Sequence, residues 1–197
     1  MVKARWSLAP GHCTSMRSDP DMAYYYRRWR IKYRQKETAS FATSDIMKSI
    51  PHPQFNRDDF SSNIGLFEHE FALGSYRYTY PANFAINDES ASIAVWERHA
   101  AYNYDEIERL GNYNVRLNTL EKCAHFLAPV VDLRNYELCA VLFEHRGELT
   151  VDHGAILIVD SKIVGMFTWG EKSGKGMPFI IVNIPHFKDW IEAIVSL

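Results

Sequence analysis

The eight histidines of this chain are its best candidates for binding a metal ion or transferring a proton. None of them has the i, i+4 or CxxC-linked spacing that a zinc site needs, so scattered core or surface histidines are expected. The segment GEKSGKG at 170–176 resembles a phosphate loop, but it has too few residues between its glycines and no Ser or Thr after Lys175 to hold magnesium. We interpret it as a hairpin loop, and the sequence predicts no cofactor.

The segment YYYRRWRIKYR at 24–34 alternates aromatic and basic residues, as a platform for single-stranded nucleic acid does. A half-buried strand with one exposed face gives the same pattern. The formal net charge of −2 and the pI near 6.4 provide no overall field that would attract nucleic acid or an anionic membrane. We expect neither partner. A polyanion binder remains an alternative, and it would act through the basic residues Arg27, Arg28, Arg30, Lys32 and Arg34.

The elements that must position any site are mostly strands. Apolar or alternating runs rich in β-branched and aromatic residues occur at 24–34, 64–71, 91–96, 113–119, 136–143, 154–159, 162–169 and 178–184. Many short strands separated by turns predict an all-β barrel or sandwich. The 47% of hydrophobic residues in a chain of 197 is enough for a packed core.

Helical periodicity is clear only at the end of the chain, after Pro185, at Phe187, Trp190, Ile191, Ile194 and Val195. A shorter helix is predicted over 120–126, and the polar stretch 82–92 is the best candidate for a link between two halves. No apolar stretch approaches the roughly 20 residues that cross a bilayer. The start, MVKARWSLAPGHC, lacks the charged-then-apolar pattern of a signal peptide.

The segment TVDHGAILIVDSKIVGMFTWG at 150–170 resembles the trypsin/chymotrypsin-like serine proteases, whose nucleophile lies in GDSGGPLV before a hairpin that ends in SWG. In that register His153 stands at the nucleophilic serine, and Val151 with His153 occupies the oxyanion-hole positions. The specificity-pocket positions implied by the resemblance, which includes PFIIVNIPHFKDWI at 178–191, are Gly147, Thr168, Trp169, Gly170 and Phe179.

The other half of the family's site is found near the start of the chain. RWSLAPGHC at 5–13 resembles the W-V-L-T-A-A-H-C signature, which places His12 at the catalytic histidine. HPQFNRDDFSSNIGL at 52–66 resembles the segment that carries the triad acid, which places Asn63 there. The resemblance thus covers nearly the whole chain, but its triad positions are degenerate.

The resemblance also implies the architecture. We expect two antiparallel β-barrels with a C-terminal helix, divided at 1–85 and 90–197. The first barrel is expected to be incomplete, because the family's Ile-Val-Gly-Gly start and first strands have no counterpart, so the beginning reads as truncated. An odd number of cysteines leaves at least one outside an intrachain disulfide. The resemblance pairs Cys123 with Cys139 and leaves Cys13 outside, and it implies a secreted protein.

The family's chemistry fails at several of these positions. Replacing the nucleophile lowers turnover about a millionfold, and an Asn at the acid position costs about ten thousandfold by leaving the histidine in the wrong tautomer. Val151 is expected to crowd the oxyanion hole, and the benzyl group of Phe179 to occupy space that a substrate side chain would enter. Gly147 offers no charge to anchor Lys or Arg. The sequence therefore predicts a pseudoprotease.

As a function we expect a catalytically inactive homologue that binds a protein partner, such as a protease, an inhibitor or a substrate, without cleaving it. The alternatives are an endopeptidase with residual or atypical activity and a truncated product with no maintained activity. His12 and His153 are expected to face each other as a partial metal site at most, and the favoured expectation is that no metal binds. The sequence does not specify an oligomeric state.

Overall fold

The computed structural model describes residues 3–34, 40–73, 91–100, 106–127, 132–142, 153–170 and 178–196. Contacts divide the chain into two compact units, Met1–Tyr78 with Asp189–Leu197 and Thr79–Lys188. Most of the predicted link at 82–92 lies outside the described residues. The division at 1–85 and 90–197 therefore stays a prediction.

The first unit is an antiparallel sheet with two short helices. Its four strands have the order β1-β4-β3-β2, and the described residues do not close it into a barrel. A small core of Ala9, Ile46 and Phe67 holds it together, with Cys13 and Ile31 packed at its edge. In chain order the elements are β1 (Trp6–Ala9), α1 (Gly11–Ser18), α2 (Ala23–Tyr26), β2 (Arg30–Arg34), β3 (Phe41–Pro51) and β4 (Gly65–His69).

Two glycines let α1 lie directly against the chain that leads into β4. A Cβ on Gly11 would lie 2.9 Å from the backbone nitrogen of Ile64, and a Cβ on Gly65 would lie 2.1 Å from Thr14 Oγ1. Real Cβ atoms do not approach other atoms so closely, so a side chain at either position would push α1 away from β4. This close packing brings the start of α1 next to Asn63.

The second unit is a closed antiparallel barrel of six strands in the order β10-β7-β6-β5-β8-β9. Its interior is a single apolar cluster that includes Ile93, Leu157, Phe167, Phe179 and Ile181. The elements are β5 (Ala91–Ala100), β6 (Glu106–Asn118), α3 (Leu120–Leu127), β7 (Glu137–Leu142), β8 (Ile156–Val159), β9 (Lys162–Gly170) and β10 (Phe179–Asn183). A 3₁₀ turn (Ile184–Phe187) leads into α4 (Lys188–Val195).

The predicted all-β class is confirmed, with one closed barrel, a separate sheet and a terminal helix. The strand predicted over 24–34 is only half correct, because residues 23–26 are helical. The Asp19 carboxylate accepts the backbone N–H of Asp21, and the Asp19 carbonyl accepts that of Met22. These turn contacts start α2 and override the strand preference of three tyrosines.

The terminal helix, α4, belongs almost entirely to the first unit. From Asp189 onward its residues belong to the first unit. Lys3 Nζ donates a hydrogen bond to the carbonyl oxygen of Val195 at 2.6 Å. The rings of His52 and Trp190 pack edge to face with centroids 4.8 Å apart. The two ends of the chain therefore meet in one unit.

Candidate functional site

His12 and Asn63 are brought together in the first unit. His12 is the second residue of α1, and Asn63 lies just before β4. The backbone N–H of His12 donates to Asn63 Oδ1 at 2.9 Å, and His12 Nδ1 lies 3.1 Å from the same oxygen. Asn63 is only 2% exposed. The arrangement is therefore a buried acceptor that holds His12 at two points, its backbone N–H and its ring Nδ1.

The orientation of the Asn63 amide decides the tautomer of His12. A backbone N–H can only donate, so the atom that faces it must be the amide oxygen. Nδ1 of His12 then also donates to that oxygen. The oxygen and not the NH₂ group of Asn63 faces the ring, and this arrangement favours the Nδ1–H tautomer of His12. The effect of the amide on catalysis stays a prediction. The Asn63 Nδ2 atom is buried and has no hydrogen-bond partner among the described residues.

The loop that delivers Asn63 carries backbone strain. Phe60 and Ser62 have φ angles of 54° and 48°, a left-handed conformation that non-glycine residues rarely adopt. The backbone N–H groups of Asn56 and Ile64 donate within the loop, to the carbonyls of Ser61 and Ser62. The Phe60 ring lies 5.8 Å from the His12 ring, edge to face. The strained loop therefore carries Asn63 and also packs the Phe60 ring against the His12 ring.

His153 lies in the second unit, in the turn before β8. Its Nδ1 lies 2.6 Å from the carbonyl oxygen of Thr168, and because a carbonyl only accepts, Nδ1 carries the proton. Its ring packs on Phe167 with centroids 5.2 Å apart. The next residue, Gly154, has a φ of 94° and donates its N–H to the Phe167 carbonyl. The imidazole is thus tied to β9 by a hydrogen bond and a ring contact.

The pocket positions of β9 and β10 lie at a β-bulge. Thr168 is the extra residue, because Ile180 pairs with Trp169 and Ile181 pairs with Phe167. The Thr168 hydroxyl is buried and donates to the carbonyl of Ile180 at 3.3 Å. The bulge therefore directs the side chain of Thr168 into the backbone of β10.

Phe179 pairs with Gly170 across the same ladder. Gly170 has a φ of 126°, and a Cβ there would lie 2.8 Å from the Cα of Phe179, so the two strands approach closely. The Phe179 ring is fully buried and meets the Phe167 ring edge to face at 5.7 Å. His153, Phe167 and Phe179 thus form a continuous row of three rings.

Several predicted positions are not brought together by the described residues. Val151 and Gly147 lie outside them, so the oxyanion-hole and pocket-base assignments stay predictions. His12 and His153 belong to different units, so their pairing also stays a prediction. Within the part of the chain that the structure describes, no group of three or more His, Cys, Asp or Glu could hold a metal ion. No described helix is long and apolar enough to cross a bilayer.

The predicted disulfide is confirmed. Cys123 in α3 and Cys139 in β7 are joined, with their Cα atoms 6.3 Å apart. The bridge is fully buried and packs with Ile180, and the ring of Trp169 lies against this cluster. The disulfide therefore lies on the outer face of the barrel and supports β9, the strand that carries Trp169. Cys13 is not part of this bridge.

Sequence analysis did not identify His69, the last residue of β4, as a titratable core group. It is fully buried, its Nε2 lies 2.8 Å from Ser7 Oγ, and its Nδ1 has no hydrogen-bond partner among the described residues. Burial, helped by nearby positive charge that includes Arg5, lowers the pKa of His69 to about 4. The sequence feature that could have indicated its burial is its position at the end of an apolar strand pattern.

The comparisons with known proteins agree with the observed fold. No family model matches the chain. The chain is 26% identical over 159 residues to trypsin eta of Drosophila erecta, which covers 76% of this chain and 60% of that protein. It is 23% identical over 215 residues to kallikrein-1 of Mus musculus, which covers 100% of this chain and 78% of that protein. The chain thus spans about three fifths of the length of the Drosophila relative.

A solved structure of neuropsin, a serine protease expressed in the limbic system of mouse brain, superimposes with a TM-score of 0.78 at 18% identity. The match covers 99% of this chain and 86% of that one. At 18% identity this likeness shows the fold alone. The sequence matches are a separate observation. The chain has the trypsin-like fold, and it is similar in sequence to a trypsin and a kallikrein.

Proposed function

We propose that this protein is a non-catalytic member of the trypsin-like proteases that binds a protein partner without cleaving it. The observation that carries the proposal is His153, which stands at the position resembling the nucleophile and whose Nδ1–H is bound to the Thr168 carbonyl. Acyl transfer of this kind needs an activated hydroxyl. A tethered imidazole offers none.

The environment of His153 supports the proposal further. Its ring packs on Phe167, and Phe167 packs on Phe179, so aromatic side chains occupy the surroundings of the pocket positions on β9 and β10. The Thr168 hydroxyl is engaged with the Ile180 carbonyl. A substrate side chain would have to displace buried rings, which costs the packing energy of the barrel core.

The pair of His12 and Asn63 supports a binding role in a different way. Asn63 orients His12 as a carboxylate would, but a neutral amide cannot compensate the positive charge that the imidazole acquires as a general base. The pair therefore has the geometry of a histidine and its orienting acid, but it lacks the negative charge of the acid.

A residual or atypical endopeptidase is the second candidate, and one observation favours it. His12 has Nδ1 protonated, which is the tautomer that a general base needs. This candidate requires a reactive hydroxyl, and the histidine at position 153 has none.

We propose an extracellular location, which fits the Cys123–Cys139 disulfide, since such bridges persist in oxidising compartments. There the partner would be an active protease, its inhibitor or its substrate. A domain that retains the protease fold without turnover can hold such a protein in a long-lived complex.

The test has two arms. Peptide substrates and a fluorophosphonate probe should show no turnover and no labelling, and His153→Ser should remain inactive because Asn63 and the buried rings are still present. His125→Ser, an exposed position on α3, is the matched control. Labelling that disappears on replacing one Ser or Thr would establish the endopeptidase instead.

The second arm measures binding. The protein is titrated against an active trypsin, a trypsin inhibitor and a protein substrate, and the products are examined by mass spectrometry. We expect a complex with at least one of the three and intact chains afterwards. New cleavage products, or no complex with any of them, would contradict the proposed function.

A further inference from the structure

A small cavity opens on the first unit beside α1 and α2. Its volume is about 220 Å³, below the 300–1,000 Å³ of small-molecule sites, so it suits one inserted side chain. Its lining contains two arginines, two serines and no acidic residue: Arg17, Ser18, Ala23, Arg27, Met47 and Ser49. Such a lining selects a negatively charged group.

The two arginines of the cavity differ in how they are held. Arg17 is half-buried and donates from Nη1 to the Tyr26 carbonyl and from Nη2 to the Ile46 carbonyl. Its guanidinium is therefore fixed in place, and burial lowers its pKa. Arg27 is exposed on the rim. A fixed cation beside an exposed one can bind a carboxylate from two sides.

An exposed aromatic surface adjoins this cavity. Tyr24 and Tyr25 are 73% and 70% exposed, and Trp29 and Met47 are also exposed. Isolated exposed apolar residues need no explanation, but these lie together with arginines. Tyr, Trp, Met and Arg are the residue types enriched in protein interfaces and in their hot spots. We call Tyr24, Tyr25, Arg27, Arg28 and Trp29 the Arg27 surface.

The geometry disfavours nucleic acid as the occupant. Tyr24 and Tyr25 pack edge to face at 86°, and Tyr26 and Trp29 do so at 75°, so the rings do not present parallel faces for successive bases. The charge is also limited, since Asp45 already pairs with Arg30 at 2.6 Å. A polyphosphate needs a longer run of uncompensated cations.

We propose that the Arg27 surface and its cavity bind an acidic segment of a partner protein. One Asp or Glu side chain enters the cavity between Arg17 and Arg27, a second carboxylate meets Arg28, and apolar side chains of the segment pack on Tyr24, Tyr25 and Trp29. This inference deepens the proposed function, on which it rests for the existence of a protein partner. It adds the surface and the chemistry by which that partner is held.

The probe is a short fluorescent peptide in which Asp and Glu alternate with Leu and Phe, with a matched peptide that carries Asn and Gln instead. Binding is measured by fluorescence anisotropy at two salt concentrations. We expect the acidic peptide to bind at least tenfold more tightly than the neutral one, and more weakly at high salt. The doubly substituted R27E/R28E protein should lose at least tenfold in affinity.

The matched control is the doubly substituted K122E/K162E protein, which makes the same charge change at exposed positions of the second unit. It should bind the acidic peptide as the wild type does. The doubly substituted R27K/R28K protein should retain part of the affinity, and thermal unfolding verifies that each variant is folded. This readout is independent of proteolysis, so inactivity toward substrates can stand whether or not the peptide binds.

Four outcomes would overturn the inference. They are equal binding of the neutral peptide, equal loss in the K122E/K162E control, no binding of the acidic peptide below about 1 mM, and stronger competition by anionic phosphatidylserine vesicles or by a single-stranded oligonucleotide. The last result would assign the surface to a membrane or to nucleic acid.

Discussion

His12 in the first unit and His153 in the second are held in different ways. The side-chain oxygen of Asn63 accepts both N–H groups of His12, so this residue is held by hydrogen bonds to one buried amide. His153 donates from Nδ1 to the Thr168 carbonyl and packs on the Phe167 ring, so it is joined to the barrel core. A hydrogen bond fixes orientation, whereas a buried ring contact also contributes packing energy.

This difference has energetic consequences. Besides its ring contact with Phe60, His12 is held by hydrogen bonds to Asn63, so losing Asn63 leaves unsatisfied N–H groups. The contacts of His153 lead into the apolar core of the barrel, so losing them costs packing energy as well. Substitutions near His153 should therefore lower the free energy of unfolding more than substitutions near His12.

Phe179→Ala should have the largest effect. The ring is fully buried against Phe167, and removing it leaves a cavity in the barrel core. We expect a loss of about 3–5 kcal/mol in the free energy of unfolding of the second unit. Denaturant titration measures it, with Leu110→Ala as the exposed control. A loss below about 1 kcal/mol would mean that the barrel repacks freely.

Removing the disulfide should rank second. The bridge closes a loop between cysteines 16 residues apart, for which the loop-entropy model gives about 3 kcal/mol. The C123A/C139A protein should therefore unfold at lower denaturant concentration, while Cys13→Ala serves as the control for a thiol outside the bridge. If both proteins lose equal stability, the bridge does not support the strand that carries Trp169.

Asn63→Ala should have a smaller effect on the first unit. The substitution leaves the backbone N–H and Nδ1–H of His12 without their acceptor, which costs about 1–3 kcal/mol. Asn63→Asp keeps an acceptor oxygen in place and is the matched variant, so it should retain the geometry. Chemical shifts of the His12 amide report the bond. An unchanged amide shift in Asn63→Ala would show that Asn63 does not position His12.

The barrel was more predictable than the first sheet, because its strands have dense apolar patterns. Strands β7 and β10 are buried on both faces, which gives continuous apolar runs in the sequence. Strand β3 escaped prediction, since its segment FATSDIMKSIP has no regular apolar alternation and buries only Ser44 and Ile46 among its first eight residues. The helix α2 escaped because its start depends on turn contacts of Asp19.

For the candidate site, the motifs gave only the positions His12, Asn63 and His153, whose roles stay predictions. They did not give the orientation of the Asn63 amide or the hydrogen bond from His153 to Thr168. Both depend on contacts between residues far apart in the chain, 51 and 15 positions respectively. A sequence motif identifies which side chain is present, whereas its tautomer and partners are set by the packing around it.

Acid should weaken the first unit more than the second, through His69. This residue is buried without a partner for Nδ1 among the described residues, and burial lowers its pKa from 6.5 to about 4. Between these two values the unfolded chain binds a proton that the folded chain does not. Stability is therefore present above pH 6.5 and is lost as the pH falls toward about 4, by at most about 1.4 kcal/mol per pH unit.

The groups that face His69 modify this loss. Arg5 opposes protonation of His69 because it is positive, whereas Glu68 favours it. Ser7 Oγ accepts from or donates to Nε2 of the neutral ring, according to the tautomer, and it can only accept from the protonated ring. Unfolding measured from pH 7 to pH 4 for the wild type and for His69→Leu isolates the contribution, because leucine does not titrate. The wild type should lose more stability than the variant over this range. Parallel curves of unfolding free energy against pH would show that protonation of His69 does not change the stability of the first unit. The contrast between the two units would then depend on packing alone.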